Sequence, residues 1–200
     1  MANLPLPARI SGYDLGMLVL DRPFLRHGRR WVCRRAHGRT LEVAIGTGLN
    51  LTHYPADVQI TGLELNPRMA AHAQRRADRI GRRLKLTVGD AMSLPHPDDT
   101  FDAVVCTFAL CGVGDEQVVL DEMLRVLKPG GDLLLSDHVR ARPRPLRWLQ
   151  RLADAITVPL NGEHWTRRPL HLLRSRNVTI EATHTRAFGI LESVHARKPA

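Results

Sequence analysis

Apolar runs rich in branched residues alternate with segments of helical period along most of this chain, and this alternation strongly constrains its fold. It is typical of a parallel β-sheet covered by helices on both faces. The predicted parallel strands are residues 40–45, 58–64, 84–88, 102–107 and 131–137. The sequence therefore predicts a doubly wound α/β fold.

Two of the predicted helices have clear start and stop signals. Asn66 can cap the first, Pro67 suits its first helical position, and Gly81 ends it. The second begins near Asp115 and ends at the Lys-Pro-Gly-Gly sequence of residues 128–131. Each of these helices lies between two predicted strands, as a doubly wound fold requires.

The last two predicted strands, residues 178–185 and 187–196, leave no room for a helix between them. They must form a hairpin, so this edge of the sheet is antiparallel. A chain of 200 residues with 44% hydrophobic composition has one core and is too short for two full-sized domains. We divide this single domain into an N-terminal helical lid (1–39), a ligand-binding core (40–138), a helical insert (139–176) and the C-terminal hairpin (177–200).

Cysteine content and apolar run length indicate the compartment. Three cysteines are an odd number, and two of them lie in or just after a hydrophobic run, so no disulfide framework is expected. No apolar run approaches the roughly 20 residues that span a bilayer, and the first ten residues do not resemble a secretory signal. We therefore predict a cytoplasmic protein, with peripheral contact to a membrane as the alternative.

The net charge is +9 at pH 7, and arginines are concentrated in two segments that contain no acid. The first segment holds Arg22, Arg26, Arg29, Arg30, Arg34, Arg35 and Arg39, and the second holds Arg140, Arg142, Arg144, Arg147 and Arg151. One interpretation is contact with an anionic membrane, and the other is that most of these arginines are solvated. Nucleic acid is not an expected partner, because aromatic residues are scarce and no stacking platform is evident.

Closely spaced glycines, Gly46 and Gly48, follow the first predicted strand. Ligands of open α/β sheets bind at this carboxyl edge, and glycines let the backbone turn sharply against a ligand. A dinucleotide fingerprint requires another glycine three positions later, where this chain has Leu51. A nicotinamide-dependent reductase is therefore disfavoured.

Acidic residues end the next two predicted strands at the same edge. Glu64 ends the second strand, where a carboxylate can accept hydrogen bonds from both hydroxyls of a ribose. Asp90 follows the third strand, where a carboxylate can accept a hydrogen bond from the amine of adenine. Three consecutive strand ends that supply glycine, acid and acid predict a nucleoside-binding site.

These residues resemble the motifs of the class I S-adenosylmethionine-dependent methyltransferases, over about residues 40–138. The matching segments are the glycine motif (42–48), the acidic loop (62–67), the adenine loop (89–91), the fourth strand (101–105) and the turn before the fifth (127–131). The resemblance implies a Rossmann-like, mostly parallel sheet of seven strands and S-adenosylmethionine as the cofactor. The chain departs from the family at Ala44, where a glycine is usual and where a methyl group would narrow the approach to the methionine part of the cofactor.

The resemblance also implies which residues bind the cofactor and which subfamilies are similar. The implied cofactor-binding residues are Ala44, Gly46, Thr47, Gly48, Glu64, Leu65, Asp90, Ala91, Met92, Thr107 and Cys111. Residues 106–111, 137–139 and 161–164 are similar to the microsomal thiol S-methyltransferases, and residues 46–51 to bacterial phosphatidylethanolamine N-methyltransferases. The quinone C-methyltransferases are more distant. Because the thiol group commonly has a cysteine in place of Glu163, the acceptor stays open.

Methyl transfer from a sulfonium depends mainly on positioning the acceptor, which gains about 7 to 11 kcal/mol relative to bulk water. A general base is required only for a protonated acceptor, and histidine suits this role at neutral pH. The predicted catalytic candidates are His164 in the insert, which we favour, His138 after the fifth strand, and Tyr13. No histidine and cysteine spacing indicates a metal site, so we predict a metal-free enzyme.

The acceptor pocket is expected in the segments that the sheet core does not explain, residues 1–31 and 140–176. Both carry apolar residues among arginines, including Leu18, Phe24, Trp148, Leu149, Leu152 and Ile156. They form either a lid over a lipophilic acceptor or ordinary helix packing against the sheet. Three functions stay open: methylation of a lipophilic thiol, hydroxyl or quinone-like molecule, methylation of phosphatidylethanolamine, and noncatalytic cofactor binding.

Overall fold

Seven strands form one mixed sheet in the computed structural model, which describes residues 25–162 and 164–200. The strands are β1 Arg39–Val43, β2 Gln59–Glu64, β3 Leu84–Val88, β4 Phe101–Thr107, β5 Leu127–His138, β6 Thr179–Arg186 and β7 Leu191–Arg197. The helices are α1 Arg26–Cys33, α2 Pro67–Arg79, α3 Glu116–Val126, α4 Arg144–Asn161 and α5 Pro169–Arg174, with a 3₁₀ turn at Ala187–Gly189. None of the helices in these described ranges is both long enough and apolar enough to cross a bilayer.

The strand order of the sheet is β3-β2-β1-β4-β5-β7-β6. Pairing is parallel from β3 to β5, whereas β7 is antiparallel to both β5 and β6. These findings confirm the predicted doubly wound fold with an antiparallel C-terminal hairpin. The chain order reverses between β1 and β4, so a crevice opens between their carboxyl ends.

Two hydrophobic layers cover the faces of the sheet. On one face, Leu41 of β1 packs with Leu120 of α3 and Leu173 of α5. On the other face, Val32 of α1 and Ala73 of α2 belong to a second buried cluster. Leu173 has no exposed surface, so α5 belongs to the core and only α4 and its flanking loops remain as the predicted insert.

Local signals set the ends of α2 and α3 as predicted. The Asn66 side chain accepts a hydrogen bond from the backbone N of Arg68 at 3.0 Å, and α2 ends before Gly81, which has a φ of +66°. Asp115 accepts a hydrogen bond from the backbone N of Gln117 at 2.8 Å and so caps α3. Each cap satisfies a backbone donor that the first helical turn leaves unpaired.

Strand ends differ from the prediction mainly where the backbone becomes left-handed. β1 ends two residues early because Ala44 has a φ of +54°. β7 begins four residues late because Ala187 and Phe188 have positive φ values and form the 3₁₀ turn. β5 begins four residues early at Leu127, which pairs with Phe101 before a shift in register.

Candidate functional site

A cavity of about 400 Å³ opens at the carboxyl ends of β1 to β4. The predicted cofactor residues that line it are Ala44, Glu64, Leu65, Asp90, Ala91, Met92 and Cys111. The other predicted ones, Gly46, Thr47, Gly48 and Thr107, do not line it. The fold thus brings residues from four strand ends to one crevice, where open α/β sheets bind their ligands.

Glu64 connects the end of β2 to the loop after β1 that contains Gly46 and Gly48, here named the glycine loop. Its Oε2 accepts a hydrogen bond from the backbone N of Gly46 at 2.9 Å, and its Oε1 accepts one from the backbone N of Asn66 at 3.0 Å. Glu64 is only 7% exposed, yet it lines the cavity. Because each carboxylate oxygen has a second lone pair, Glu64 can still accept hydrogen bonds from a ribose.

Two residues of the loop after β1 adopt a left-handed backbone with different consequences. At Gly48 (φ +77°), a Cβ atom would lie 2.8 Å from Leu51 Cδ1 and 3.2 Å from Ala73 Cα, so α2 packs here against a glycine. Ala44 (φ +54°) keeps its methyl group in a conformation that costs an L-residue roughly 1 to 2 kcal/mol. Ala44 therefore places a strained residue in the cavity wall.

Asp90 shapes the loop after β3. Its Oδ1 accepts a hydrogen bond from the backbone N of Met92 at 2.9 Å, which forms a local turn. Asp90 is exposed and lines the cavity, so its carboxylate has further capacity to accept a hydrogen bond from a ligand amine. The Met92 side chain reaches Gly114 on the other wall.

A buried polar network lies beneath the glycine loop, and sequence reasoning missed it. Asn50 Nδ2 donates to Glu42 Oε1 at 2.7 Å and to Thr107 Oγ1 at 2.9 Å, while the Tyr54 hydroxyl donates to Glu42 Oε2 at 2.8 Å. Burial raises the pKa of Glu42 to about 7, and the hydrogen bonds from Tyr54 and Asn50 and the charge of Arg29 limit the rise. The available signal was an acid inside an apolar strand, since a buried carboxylate needs partners.

Helix α1 joins this network through Arg29, which the sequence placed in the first arginine segment. Its Nη1 donates to Asn50 Oδ1 at 3.1 Å and to Thr107 Oγ1 at 3.0 Å. The guanidinium carbon also lies 4.8 Å from the ring centre of Phe108, which lines the cavity with a φ of +52°. Arg29 is buried and links α1 to the cavity wall, so its guanidinium group is not available to contact a membrane.

Cys111, Asp137 and His138 form a buried cluster beside the cavity. Cys111 lines the cavity, and His138 Nδ1 lies 3.5 Å from Asp137 Oδ1. Burial raises the pKa of Asp137, and its contacts with His138 and Cys111 oppose the rise. The ring centre of His138 lies 4.4 Å from that of Trp165. A nearby carboxylate and a tilted indole ring thus flank the imidazole, an environment that suits a general base.

The same cluster combines thiol, carboxylate and imidazole groups, the donor types that zinc prefers. One candidate ligand atom from each side chain lies within 4.8 Å of the other two. Sequence reasoning did not anticipate this cluster, because Cys111 lies in the loop after β4 whereas Asp137 and His138 end β5. The absence of a metal stays a prediction.

Of the three predicted catalytic residues, His138 and His164 lie in the described part of the chain, and both are near the buried cluster. The backbone N of His164 donates to the carbonyl oxygen of Cys111 at 2.8 Å, which brings the segment after α4 to the cluster. The neighbouring carboxylate favours His138 as the base, whereas the sequence favoured His164, and both roles stay predictions. Tyr13 and Glu163 lie outside the described residues.

The apolar residues of α4 do not cover the cavity. Trp148, Leu149, Leu152 and Ile156 are exposed and are not among the residues that line it. These four residues therefore have neither of the two predicted roles: they do not cover this cavity, and they do not pack against the sheet. The N-terminal residues 1–24, which the sequence assigned to the lid, lie outside the described part of the chain.

Comparisons with known proteins point to the same core. Residues 41–135 match the family model described as "Methyltransferase domain". A phosphatidylethanolamine N-methyltransferase of Cereibacter sphaeroides is 35% identical over 116 residues, which cover 57% of this chain and 57% of that protein. A demethylmenaquinone methyltransferase of Deinococcus radiodurans is 37% identical over 132 residues, which cover 62% of this chain and 55% of that protein. The chain therefore spans less than two thirds of the length of these relatives.

A solved structure of an S-adenosylmethionine-dependent methyltransferase from Methanosarcina mazei is similar as well. Its TM-score is 0.67 at 24% sequence identity, and the match covers 80% of this chain and 92% of that one. At this level of identity the similarity shows a common fold.

Proposed function

We propose that this chain is an S-adenosylmethionine-dependent methyltransferase that methylates a lipophilic small molecule. The match of residues 41–135 to a methyltransferase domain and the similarity to methyltransferases support this proposal. The observation that carries the proposal is Glu64, a buried carboxylate that holds the glycine loop and still lines the cavity. An acid in this position suits the ribose of a nucleoside cofactor.

The residues of the cavity fit the parts of S-adenosylmethionine. Glu64 would accept hydrogen bonds from the ribose hydroxyls, Asp90 would accept one from the adenine amine, and Ala44 would face the methionine part. When bound, the cofactor supplies a methyl group on a positively charged sulfur, which is a good leaving group. The chain therefore needs mainly to bind and orient the two reactants.

The acceptor lies at the end of the cavity where Cys111 meets the buried cluster. The apolar residues Phe108, Ala109 and Val113, close to Cys111 in the chain, also line the cavity and would exclude water from a lipophilic acceptor. For a thiol or hydroxyl acceptor, one ring nitrogen of His138 would remove the proton, and the Asp137 carboxylate, 3.5 Å from Nδ1, would stabilise the protonated ring.

Methylation of phosphatidylethanolamine is the second candidate. The relative that bears this name is 35% identical over the matched region. The exposed apolar residues of α4 beside arginines also favour an acceptor that resides in a lipid surface. An ammonium acceptor must lose a proton before transfer, so it would use the same base.

We also infer that the protein acts in the cytoplasm. Cys33, Cys106 and Cys111 are buried and form no disulfide, which supports a reducing compartment. A lipophilic acceptor is accessible there from the cytoplasmic side of a membrane.

Calorimetry with S-adenosylhomocysteine tests the cofactor assignment. Wild-type protein should bind it, and Glu64→Ala should weaken binding by roughly 1 to 3 kcal/mol through loss of charge-assisted hydrogen bonds. Glu181→Ala is the matched control, because Glu181 is an exposed acid of β6 that does not line the cavity. Binding of NADH in place of S-adenosylhomocysteine would contradict the assignment.

Methyl transfer from labelled cofactor to thiols, phenols, quinones and aminophospholipids tests the activity. Turnover with one class of acceptor identifies the methylated atom. Tight cofactor binding without transfer to any class would favour a noncatalytic cofactor-binding protein instead.

A further inference from the structure

Helix α4 makes its polar contacts on the side that faces the protein. Gln150 Oε1 accepts a hydrogen bond from the backbone N of Ala141 at 2.7 Å, and its Nε2 donates to the carbonyl oxygens of Val139 and Trp165 at 2.9 and 3.1 Å. Asp154, one turn later, accepts a hydrogen bond from the backbone N of Trp165. These contacts fix which side of α4 is turned inward.

The opposite side of α4 is apolar and faces solvent. Its exposed fractions are 64% for Trp148, 53% for Leu149, 50% for Leu152 and 55% for Ile156. At 3.6 residues per turn these four positions form one stripe, here named the outward face, on the far side of the helix from Gln150. A surface helix normally has the reverse arrangement, so the outward face indicates an interaction surface.

Arginines flank the outward face, whereas the acid of α4 does not. The exposed residues Arg144 and Arg151 lie along one side of the stripe. Asp154 is the only acid in the helix sequence, and it accepts hydrogen bonds from Trp165 and Thr166 on the inward side. An apolar stripe beside guanidinium groups complements a surface that has anionic groups above an apolar layer.

The 3₁₀ turn places another exposed apolar residue near the start of α4. Phe188 is 76% exposed in this turn. Its carbonyl oxygen accepts a hydrogen bond from the backbone N of Arg142 at 3.1 Å, two residues before α4 begins. A second exposed aromatic residue therefore lies close to the arginines at the start of the helix.

We propose that the outward face of α4, together with Phe188, docks on an anionic phospholipid bilayer. In this position Trp148 lies at the level of the headgroups, where aromatic side chains are favoured. The aliphatic residues enter the acyl boundary and the arginines contact lipid phosphates. The inward contacts of Gln150 and Asp154 keep α4 in place, so docking requires no rearrangement and does not depend on the identity of the acceptor.

Vesicle sedimentation at low salt tests the charge requirement. The protein should bind vesicles of phosphatidylcholine with phosphatidylglycerol more tightly than vesicles of phosphatidylcholine alone. The double variant Arg144→Gln, Arg151→Gln should bind the anionic vesicles up to about thirtyfold more weakly, since each arginine near such a surface contributes about fivefold. The control is Arg75→Gln with Arg79→Gln, two exposed arginines of α2 whose loss should have little effect.

Apolar substitutions test the outward face itself. Leu149→Ser with Leu152→Ser should lower binding by about tenfold or more, because insertion depends on buried apolar area. Ile80→Ser is the control, since Ile80 is an exposed apolar residue next to α2. All variants should bind S-adenosylhomocysteine as the wild type does, which shows that they are folded.

Tryptophan emission identifies the docked residue. Anionic vesicles should shift the emission of the wild-type protein to shorter wavelength, and Trp148→Phe should remove that shift. Equal binding to both kinds of vesicle, or α4 variants that behave as their controls, would overturn the proposal. The proposal would also be overturned if the emission of Trp148 were typical of a buried indole before vesicles are added. The outward face would then be covered by residues 1–24 or by a second copy of the chain.

Discussion

The cofactor side and the acceptor side of the candidate site are constructed differently. On the cofactor side, Glu64 and Asp90 each accept a hydrogen bond from the backbone two residues further on. On the acceptor side, Cys111, His138 and Trp165 meet from the loop after β4, the end of β5 and the loop after α4. The cofactor side is thus defined by local sequence, whereas the acceptor side depends on tertiary packing. A change of acceptor can therefore leave cofactor binding intact.

The largest expected effect lies on the acceptor side, where His138→Gln removes the proposed base. For a thiol or hydroxyl acceptor, the single-turnover rate should fall by about 10²- to 10⁴-fold near neutral pH. The loss should become smaller as pH rises, because the acceptor then ionises unaided. The affinity for S-adenosylhomocysteine should not change, since His138 does not line the cofactor cavity.

His164→Gln is the matched control for this experiment. The backbone of His164, which the substitution retains, makes the contact with Cys111. A loss of rate in His164→Gln that high pH restores, without a loss in His138→Gln, would return the role of base to the residue that the sequence favoured. Equal losses at every pH in both variants would leave positioning as the whole mechanism.

Local signals explain why the cofactor side could be predicted and the acceptor side could not. Glu64 and Asp90 directly follow apolar runs, so the period of the sequence gives their place at the sheet edge. His138 and Trp165 are separated in the chain by α4, and no local sequence pattern predicts that the two side chains come into contact. Arg29 shows the same limit, because it lies among other arginines and only the fold reveals its burial.

The insert illustrates a second limit of sequence reasoning. The sequence predicts a helical insert over residues 139–176, and in the structure α4 lies within this range and carries one apolar stripe. It does not indicate whether that stripe faces the sheet or solvent. The orientation follows from Gln150, whose three hydrogen bonds hold the polar side inward.

A large effect on stability is expected on the cofactor side at Gly48. Gly48→Ala combines left-handed strain with a Cβ atom 2.8 Å from Leu51 Cδ1 and close to Ala73. The free energy of unfolding should fall by about 2 to 4 kcal/mol. Gly81→Ala is the control, because Gly81 has a φ of +66° but nothing within 4 Å of a Cβ atom. Urea unfolding of both variants separates crowding from strain, and equal losses would show that the packing of α2 does not require Gly48.

The buried Glu42 beneath the loop should make stability depend on pH. Its pKa rises from 4.5 to about 7 on folding, so the folded state holds this proton more tightly than the unfolded state does. The contribution of Glu42 to stability is therefore largest below pH 4.5 and falls by roughly 3 kcal/mol as pH rises to about 7. Glu42→Gln should gain stability relative to the wild type over this interval, as measured by urea unfolding at each pH.

Other acids also titrate in this pH range, so the difference between wild type and variant is the relevant quantity. Glu181→Gln, at an exposed position, should follow the wild-type profile. If the stability difference between wild type and Glu42→Gln is the same at every pH, Glu42 ionises normally and its burial does not penalise its charge.

The smallest expected effect concerns Ala44, the strained residue in the wall of the cofactor cavity. Ala44→Gly should raise the free energy of unfolding by about 1 kcal/mol, because glycine adopts a φ of +54° without steric cost although it gains more freedom in the unfolded chain. It should also strengthen S-adenosylhomocysteine binding by up to about 1 kcal/mol, since the methyl group no longer crowds the wall.

Ala187→Gly separates these two effects, because Ala187 has a φ of +50° but lies in the hairpin turn, which contributes no residue to the cavity. Both variants should gain similar stability in urea unfolding, and only Ala44→Gly should change the affinity measured by calorimetry. If both variants bind S-adenosylhomocysteine more tightly, relief of backbone strain strengthens ligand binding wherever it occurs in the protein. A weaker affinity in Ala44→Gly alone would mean that the strained alanine holds the loop in its binding conformation, so that the cofactor side depends on the strain at this position rather than on the space that a glycine provides.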